Sequence, residues 1–259
     1  MRIEFIGLPG SGKTTLRRRL LDELRRDGHP QCISSEEAFL RVARQDMDRV
    51  FRLPLKILPG STGLAVVRKL ANRSLMQFEA QNRFLAHYGG ALRAFLCSDT
   101  YTHMSILDRQ RVIGSFLSMG SIWQCVASPM MDDETVFFEE GLVQKSFMFV
   151  DHSRPQGGER EKVGEYLENI PHSDLVIHVS ASLETSWERM NGRPTGLTDR
   201  LKDAEESSIR QFLQAVGDHL GQVTGWLQEH RPGNLLVLNS EFDSDDEFNA
   251  LKTRIADMK

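Results

Sequence analysis

Eight residues, "GLPGSGKT" from Gly7 to Thr14, have the spacing GxxxxGK[ST] that suits a chain to holding phosphate. Small residues let successive backbone N–H groups converge on one anion. The Lys13 side chain is long enough to contact β- and γ-phosphates, and the Thr14 hydroxyl is a ligand that Mg²⁺ accepts. These residues therefore predict nucleotide binding.

The surroundings of this phosphate loop agree with that prediction. Apolar residues predict a buried strand over Arg2–Ile6, and leucines at helical spacing predict a helix over Lys13–Arg26. A helix N-terminus behind the loop adds its dipole and its unpaired N–H groups to anion binding. We predict nucleotide contacts from Gly7, Pro9, Gly10, Ser11, Gly12, Lys13, Thr14 and Thr15.

Five arginines follow on the same predicted helix: Arg17, Arg18, Arg19, Arg25 and Arg26. They lie beyond the first turn and off the apolar stripe of the helix. We therefore predict that they form a solvated face without a catalytic role.

Two further stretches carry charged residues that could act on phosphate. "ETVFFEEG" predicts a strand ending in the carboxylates Glu139 and Glu140. "HVSASLETSWERMNGRPTGLTDRL" predicts a strand and a helix ending in Glu-Arg, followed by spaced arginines. Its charged residues are Glu188, Arg189, Arg193, Asp199 and Arg200. Arginines on a segment that closes over a site can stabilise the charge that spreads during phosphoryl transfer.

The phosphate loop, the "FFEEG" strand end and the distal stretch together resemble thymidylate kinases and deoxynucleoside kinases. The Asn-Lys-x-Asp guanine reader of GTPase switches and the LSGGQ signature of transport ATPases are both absent. The resemblance implies an α/β P-loop NTPase fold of three layers with a parallel sheet, a helical insertion and an arginine-bearing lid. It also implies an ATP- and Mg²⁺-dependent phosphotransferase that acts on a small molecule.

The resemblance also suggests site roles. In these kinases an acidic residue at the strand end orients Mg²⁺ or takes the acceptor proton. Glu139 matches that position and Glu140 follows it, so we expect Thr14 and Glu139 to support Mg²⁺ and leave the base open between the two carboxylates. Most members have Asp-Arg or Glu-Arg-Ser here, whereas this chain has Glu139, Glu140 and Gly141. Arg189 and Arg193 are the expected catalytic lid arginines.

The order of elements predicts how the site is positioned. Strands that alternate with helices predict a parallel sheet covered on both faces. We expect one domain over 1–259, with a lid at 189–205 and a helical acceptor-side insertion at 53–128, whose long helix could be interrupted at Gly89 and Gly90. The resemblance does not extend to residues 35–128, so a nucleoside or nucleotide acceptor is favoured while a sugar or another metabolite alcohol remains open.

Other polar residues are weaker candidates. A glutamine on a comparable helix reads the base in deoxynucleoside kinases, which makes Gln81, with Arg83 nearby, a candidate for that role. Asp108, Arg109 and Arg111 could hold an acceptor, but an exposed charge pattern along a helix explains them equally well. The three tryptophans fall on apolar stripes and are expected in the core. They are Trp123, Trp187 and Trp226.

Composition narrows the class of partner. The net charge of −4 favours neither nucleic acid nor an anionic membrane, and no apolar run approaches the roughly 20 residues of a membrane span. Three scattered cysteines and the lack of a secretory pattern fit a cytoplasmic protein with reduced thiols. A homodimer is compatible with the sequence, which does not determine the oligomeric state.

A second functional class also agrees with the phosphate loop, because binding phosphate does not define a reaction. The chain could be a non-catalytic nucleotide sensor, or a slow NTPase switch that acts through a protein partner. Both classes predict nucleotide binding. They differ in whether adding a metabolite produces stoichiometric ADP.

Overall fold

The computed structural model describes residues 1–51, 75–127, 131, 133–150, 159–192, 205–240 and 245–258. Its strands are β1 (Arg2–Ile6), β2 (Cys32–Ser34), β3 (Thr135–Phe138), β4 (Leu175–Ser180) and β5 (Leu235–Asn239). They form one sheet in the order β2-β3-β1-β4-β5, and all neighbouring strands run parallel. The predicted parallel sheet is confirmed, and β1, which leads into the phosphate loop, lies at its centre.

Helices follow most of the strands. They are α1 (Lys13–Arg26), α2 (Ser35–Phe51), α3 (Leu75–Leu96), α4 (Asp99–His103), α5 (Ile106–Val126), α6 (Leu142–Lys145), α7 (Arg160–Asn169), α8 (Leu183–Asn191), α9 (Glu206–His230) and α10 (Asp245–Asp257). A 3₁₀ turn, Ser146–Phe149, continues α6. The interruption expected at Gly89 and Gly90 in fact falls at Tyr88, whose φ of −121° and ψ of 18° are not helical.

Alternating side chains of the central strand face two different apolar layers. Ile3 and Phe5 pack with the buried leucines of α1 and with Phe248 of α10. Ile6 points to the opposite layer, which is formed largely by the longer helices. Because successive strand residues point to opposite faces, both faces of β1 are covered and the loop that follows it has a rigid base.

The helical lobe on one side of the sheet is built around α3, which packs against α5 and α7. Phe84 on α3 meets Phe116 on α5 with ring centroids 5.6 Å apart. Trp123 near the end of α5 stacks on Phe138 of β3 at 4.8 Å and so joins the lobe to the sheet. The core prediction for Trp123 is confirmed, and Trp187 and Trp226 are partly buried against the core.

A helix that spans a bilayer must be both long and predominantly apolar. Among the residues that the structure describes, no helix is both long enough and apolar enough to cross a membrane.

Candidate nucleotide and phosphotransfer site

The phosphate loop turns sharply between β1 and α1, and glycines make that turn possible. Gly10 has a φ of +84° and Gly12 a φ of +95°, values that residues with a Cβ rarely adopt. A Cβ on Gly10 would also lie 2.4 Å from the Ser186 carbonyl oxygen on α8. The loop therefore fits against α8 only because glycine occupies this position.

Lys13 is the first residue of α1 and is buried inside the loop. Its Nζ donates hydrogen bonds to the carbonyl oxygens of Gly7 and Leu8, at 2.8 and 2.9 Å. Gly12, the residue before the helix, supplies no side-chain cap to the N-terminus of α1, the end of a helix that attracts anions. Burial and then the Lys13 charge lower the pKa of His178 on β4, which keeps that ring neutral at pH 7.

Glu139, directly after β3, lies against the start of α1. The Thr14 hydroxyl donates a hydrogen bond to its Oε1, and Arg17 Nη2 donates to its Oε2 at 2.8 Å. The structure thus brings together Thr14 and Glu139, the two residues expected to support Mg²⁺. A hydroxyl and a carboxylate are the oxygen ligands that Mg²⁺ accepts while it keeps several waters, so this pair fits the ion.

The prediction of a solvated face is wrong for Arg17. Its side chain is only 11% exposed because it spans the gap between α1 and Glu139. Arg18 is exposed, as predicted, and also lines the cavity beside the loop. Helix periodicity placed Arg17 off the apolar stripe, but it could not show that β3 ends opposite that face. Arg19 does pair at the surface, with Glu23 and Asp245, as a solvated arginine should.

Glu140 occupies a different environment from its neighbour. Its side chain is 57% exposed and lies 3.5 Å from Lys145 Nζ on α6. Both Glu140 and Lys145 line the same cavity as the phosphate loop. The two carboxylates therefore line one cavity but have different partners. Glu139 contacts Thr14 and Arg17 on α1, whereas Glu140 lies near Lys145 on α6.

Arg189 on α8 reaches over the outer side of the loop. Its guanidinium donates to Ser240 Oγ at 3.0 Å, to the Ser240 carbonyl at 3.1 Å and to the Ser11 carbonyl at 3.4 Å. Arg189 therefore joins the loop to the end of β5 and lines the cavity. Arg193, Asp199 and Arg200 lie outside the described residues, as does most of the lid expected at 189–205.

These groups surround a cavity of about 870 Å³. Of the loop residues predicted to bind nucleotide, the following line it: Pro9, Gly10, Gly12, Lys13, Thr14 and Thr15. Gly7 and Ser11 lie beneath the surface and support the loop instead. The apolar part of the lining comes from several helices and the 3₁₀ turn: Val112, Phe116, Phe147, Met148, Met190 and Phe212.

The weaker polar candidates are not among the residues that line this cavity. Arg83 pairs with Glu79 on the surface of α3. Arg109 donates to the carbonyls of Thr102 and Met104 and lies over the Tyr101 ring. Asp108 and Arg111 form an exposed i,i+3 pair 3.6 Å apart, as the exposed-charge alternative describes.

Sequence reasoning missed two buried polar residues beneath the loop. Gln144 on α6 binds both backbone groups of Gly7, and its own N–H donates to Glu4 Oε1 at 2.9 Å. Glu4 lies on β1, is 1% exposed and also accepts from Ser173 Oγ. Burial raises the pKa of Glu4 to about 7, although these hydrogen bonds oppose the shift. The one sequence signal was a glutamate inside an apolar strand, "RIEFI".

A parallel sheet with a glycine-rich phosphate loop between its central strand and α1 defines a P-loop NTPase fold. The cavity beside that loop, with its lysine, hydroxyl and carboxylate, lies where the sequence predicted nucleotide binding.

Comparison with known proteins adds a likeness of fold. No protein-family model and no curated protein matches the sequence. Among solved structures, the chain is similar to deoxyadenosine kinase from M. mycoides with bound dATP, at 14% identity over 99% of each chain and a TM-score of 0.48. The same enzyme with dCTP gives 14% identity over 99% of this chain and 100% of that one, with a TM-score of 0.46.

Proposed function

We propose that this protein transfers the γ-phosphate of ATP, with Mg²⁺, to a small molecule, preferably a nucleoside or nucleotide. One observation carries the proposal. Lys13, Thr14 and Glu139 meet at the same end of one cavity, although 125 residues separate the hydroxyl from the carboxylate it contacts. Cation, hydroxyl and carboxylate are the groups that a phosphoryl-transfer site needs next to the phosphates.

Each of these residues has a distinct task in the proposal. Lys13 turns from the loop carbonyls to the β- and γ-phosphates, while the N–H groups at the start of α1 hold their oxygens. Thr14 and Glu139 supply oxygen ligands to Mg²⁺, which neutralises phosphate charge when it is bound. Arg17 holds Glu139 in place through its 2.8 Å ion pair.

Glu140 is the better placed of the two carboxylates to act as base. Glu139 is already occupied by Thr14 and Arg17, whereas Glu140 is open to the cavity. With a hydroxyl acceptor, the acceptor oxygen forms a bond to the γ-phosphorus, the bond to ADP breaks and Glu140 takes the hydroxyl proton. Arg189, together with Arg193, closes over the transferring group as a lid.

The acceptor occupies the part of the cavity away from the loop. Val112, Ser115 and Phe116 of α5 line it there, which supports an acceptor-side role for the helical insertion at 53–128. An apolar wall with few polar groups suits a flat base or a similar ring better than a bare sugar. A nucleoside or nucleotide is therefore the preferred acceptor.

The test is a screen for acceptor-dependent ADP. Wild-type protein is incubated with Mg·ATP and a panel of nucleosides, nucleotides and metabolite alcohols, and the product mass is measured. The proposal predicts stoichiometric ADP and a product 80 Da heavier than one acceptor, the mass of one phosphoryl group (PO₃H) by the transfer reaction itself. Tight ATP binding without any acceptor-dependent ADP would instead support the sensor class.

A further inference from the structure

We propose that Gln144 is a positioning residue that holds the Gly7 carbonyl and thereby frees Lys13 to bind phosphate. This inference rests on the proposed nucleotide binding at the phosphate loop. The side chain of Gln144 spans one residue of the loop: its Oε1 accepts from the Gly7 N–H at 3.0 Å, and its Nε2 donates to the Gly7 carbonyl at 3.1 Å.

The Gly7 carbonyl therefore has two donors at once, because Lys13 Nζ also donates to it at 2.8 Å. Lys13 must leave this carbonyl to reach a phosphate. A buried carbonyl that loses its only donor is unfavourable, since it is cut off from water. With Gln144 present, the carbonyl keeps a hydrogen bond after Lys13 departs.

The second carbonyl that Lys13 contacts has a replacement of another kind. The Leu8 carbonyl accepts from Lys13 at 2.9 Å and also from the Ser11 backbone N–H at 3.0 Å. That second donor belongs to the turn of the loop itself. For the Gly7 carbonyl, the second donor is the Gln144 side chain on α6, a helix that follows β3 in the sequence. Of the two second donors, Gln144 is therefore the one that a side-chain substitution can remove.

The surroundings fix Gln144 in this role. The residue is 5% exposed, and its backbone N–H is held by the buried Glu4 carboxyl at 2.9 Å. Its amide cannot turn over without placing Nε2 against the Gly7 N–H and Oε1 against the Gly7 carbonyl, which are two repulsive contacts. The same short segment, residues 139–145, also carries Glu139, which contacts Thr14, the residue after Lys13.

The main test compares Gln144→Met with wild type in ATP titrations by calorimetry, with inorganic tripolyphosphate as a probe that lacks the nucleoside. Methionine preserves the volume and removes both hydrogen-bonding groups. We expect about 10- to 100-fold weaker binding of both probes. The surface variant Gln214→Met is the matched control and should bind both probes as wild type does.

Two further measurements separate positioning from general damage. In a Lys13→Met background, Gln144→Met should weaken ATP binding by less than about twofold further, because no lysine then needs release. Gln144→Glu should bind ATP poorly at pH 8, where its carboxylate attracts Lys13 and cannot donate to Gly7. It should recover relative to wild type near pH 5, where a protonated carboxyl can donate.

The outcomes are distinguishable. Wild type that binds ATP while Gln144→Met binds it equally well would overturn the inference. An equal loss from Gln144→Met in the Lys13→Met background would overturn it too, because the effect would then not pass through the lysine. If wild type itself binds neither ATP nor tripolyphosphate, the proposed function fails and this inference fails with it.

Discussion

The phosphate end and the acceptor end of the cavity are built in opposite ways. At the phosphate end, Lys13 and Glu139 each contact groups from other elements or other turns of the loop, and Arg189 ties the loop to β5. The rest of the lining, where we place the acceptor, is mostly apolar side chains of α5, α9 and the 3₁₀ turn. Polar atoms define the first region and shape defines the second.

This difference shows why one end can be read from the sequence and the other cannot. Hydrogen bonds to phosphate are directional and need particular residue types at a fixed spacing. An apolar wall needs only volume and complementarity, and many sequences supply both. Substitutions at the two ends should therefore differ in size and in the quantity that they change.

Lys13→Ala should have the largest effect and act on the phosphate end alone. We expect the rate of phosphotransfer to fall on the order of 10³-fold, because the variant lacks the buried cation that would stabilise the developing charge. The fold should persist, since Gln144 still holds the Gly7 carbonyl. Steady-state rates and circular dichroism check both statements. Lys162→Ala, a surface lysine paired with Glu165, is the control, and a folded Lys13→Ala protein with normal turnover would contradict the assignment.

Within the phosphate end, the two carboxylates, Glu139 and Glu140, are expected to have different roles. Glu139→Gln should weaken Mg²⁺-dependent ATP binding and slow transfer about 10²-fold, because it removes a charged ligand next to Thr14. Glu140→Gln should leave ATP binding near normal and change only the rate. Mg·ATP titration and turnover measured on both variants separate the roles. Two variants that behave like wild type would favour the nucleotide sensor.

The Glu4→Gln variant tests whether the buried glutamate beneath the loop makes the stability of the fold depend on pH. Because the pKa of Glu4 is raised from 4.5 to about 7, the folded state holds a proton that the unfolded state releases. Its stabilising effect is present below pH 4.5 and is lost as the pH rises through 7, a change of about 3 kcal/mol. Denaturant unfolding from pH 4.5 to 8 should show this slope in wild type and a smaller one in Glu4→Gln. Parallel slopes would mean that Glu4 titrates normally.

Gly141→Ala examines the close packing above Glu4. The new Cβ would lie 2.4 Å from the Glu4 carboxyl carbon, so we expect a loss of about 1–3 kcal/mol in the free energy of unfolding. Gly217→Ala, inside α9 with no atom within 4 Å of the new Cβ, should instead stabilise by up to about 1 kcal/mol. Equal effects at the two sites would show that the Glu4 pocket is looser than the structure has it.

The smallest effects should come from the acceptor end. Ser115→Val alters a residue that lines the cavity and should raise the acceptor KM by roughly threefold to tenfold. Gln81→Ala alters a residue outside the cavity lining and should stay within about twofold. Acceptor KM values for both variants decide the matter. A larger effect from Gln81→Ala would support a role of Gln81 in reading the base and would contradict the expected difference between residues inside and outside the cavity lining.

Local sequence pattern was enough for most of the scaffold. The apolar run Arg2–Ile6, the glycine spacing and the leucine stripe of α1 each predicted the element that is present, because strands and helices repeat with fixed periods. The same patterns indicated Trp123 as core. The break in α3 was displaced by one residue, to Tyr88, since a glycine pair permits an interruption without fixing its position.

The phosphate loop could be recognised from the sequence, because its residues are consecutive and its glycines permit the backbone conformation of the turn. Tertiary structure alone decided which distant groups meet that loop. Arg17 leaves the predicted solvated face to pair with Glu139, and Gln144, 137 residues away in the sequence, forms hydrogen bonds with both backbone groups of Gly7. The physical reason is that parallel pairing of β1 with β3 sets these juxtapositions, and strand register is not written in either segment alone.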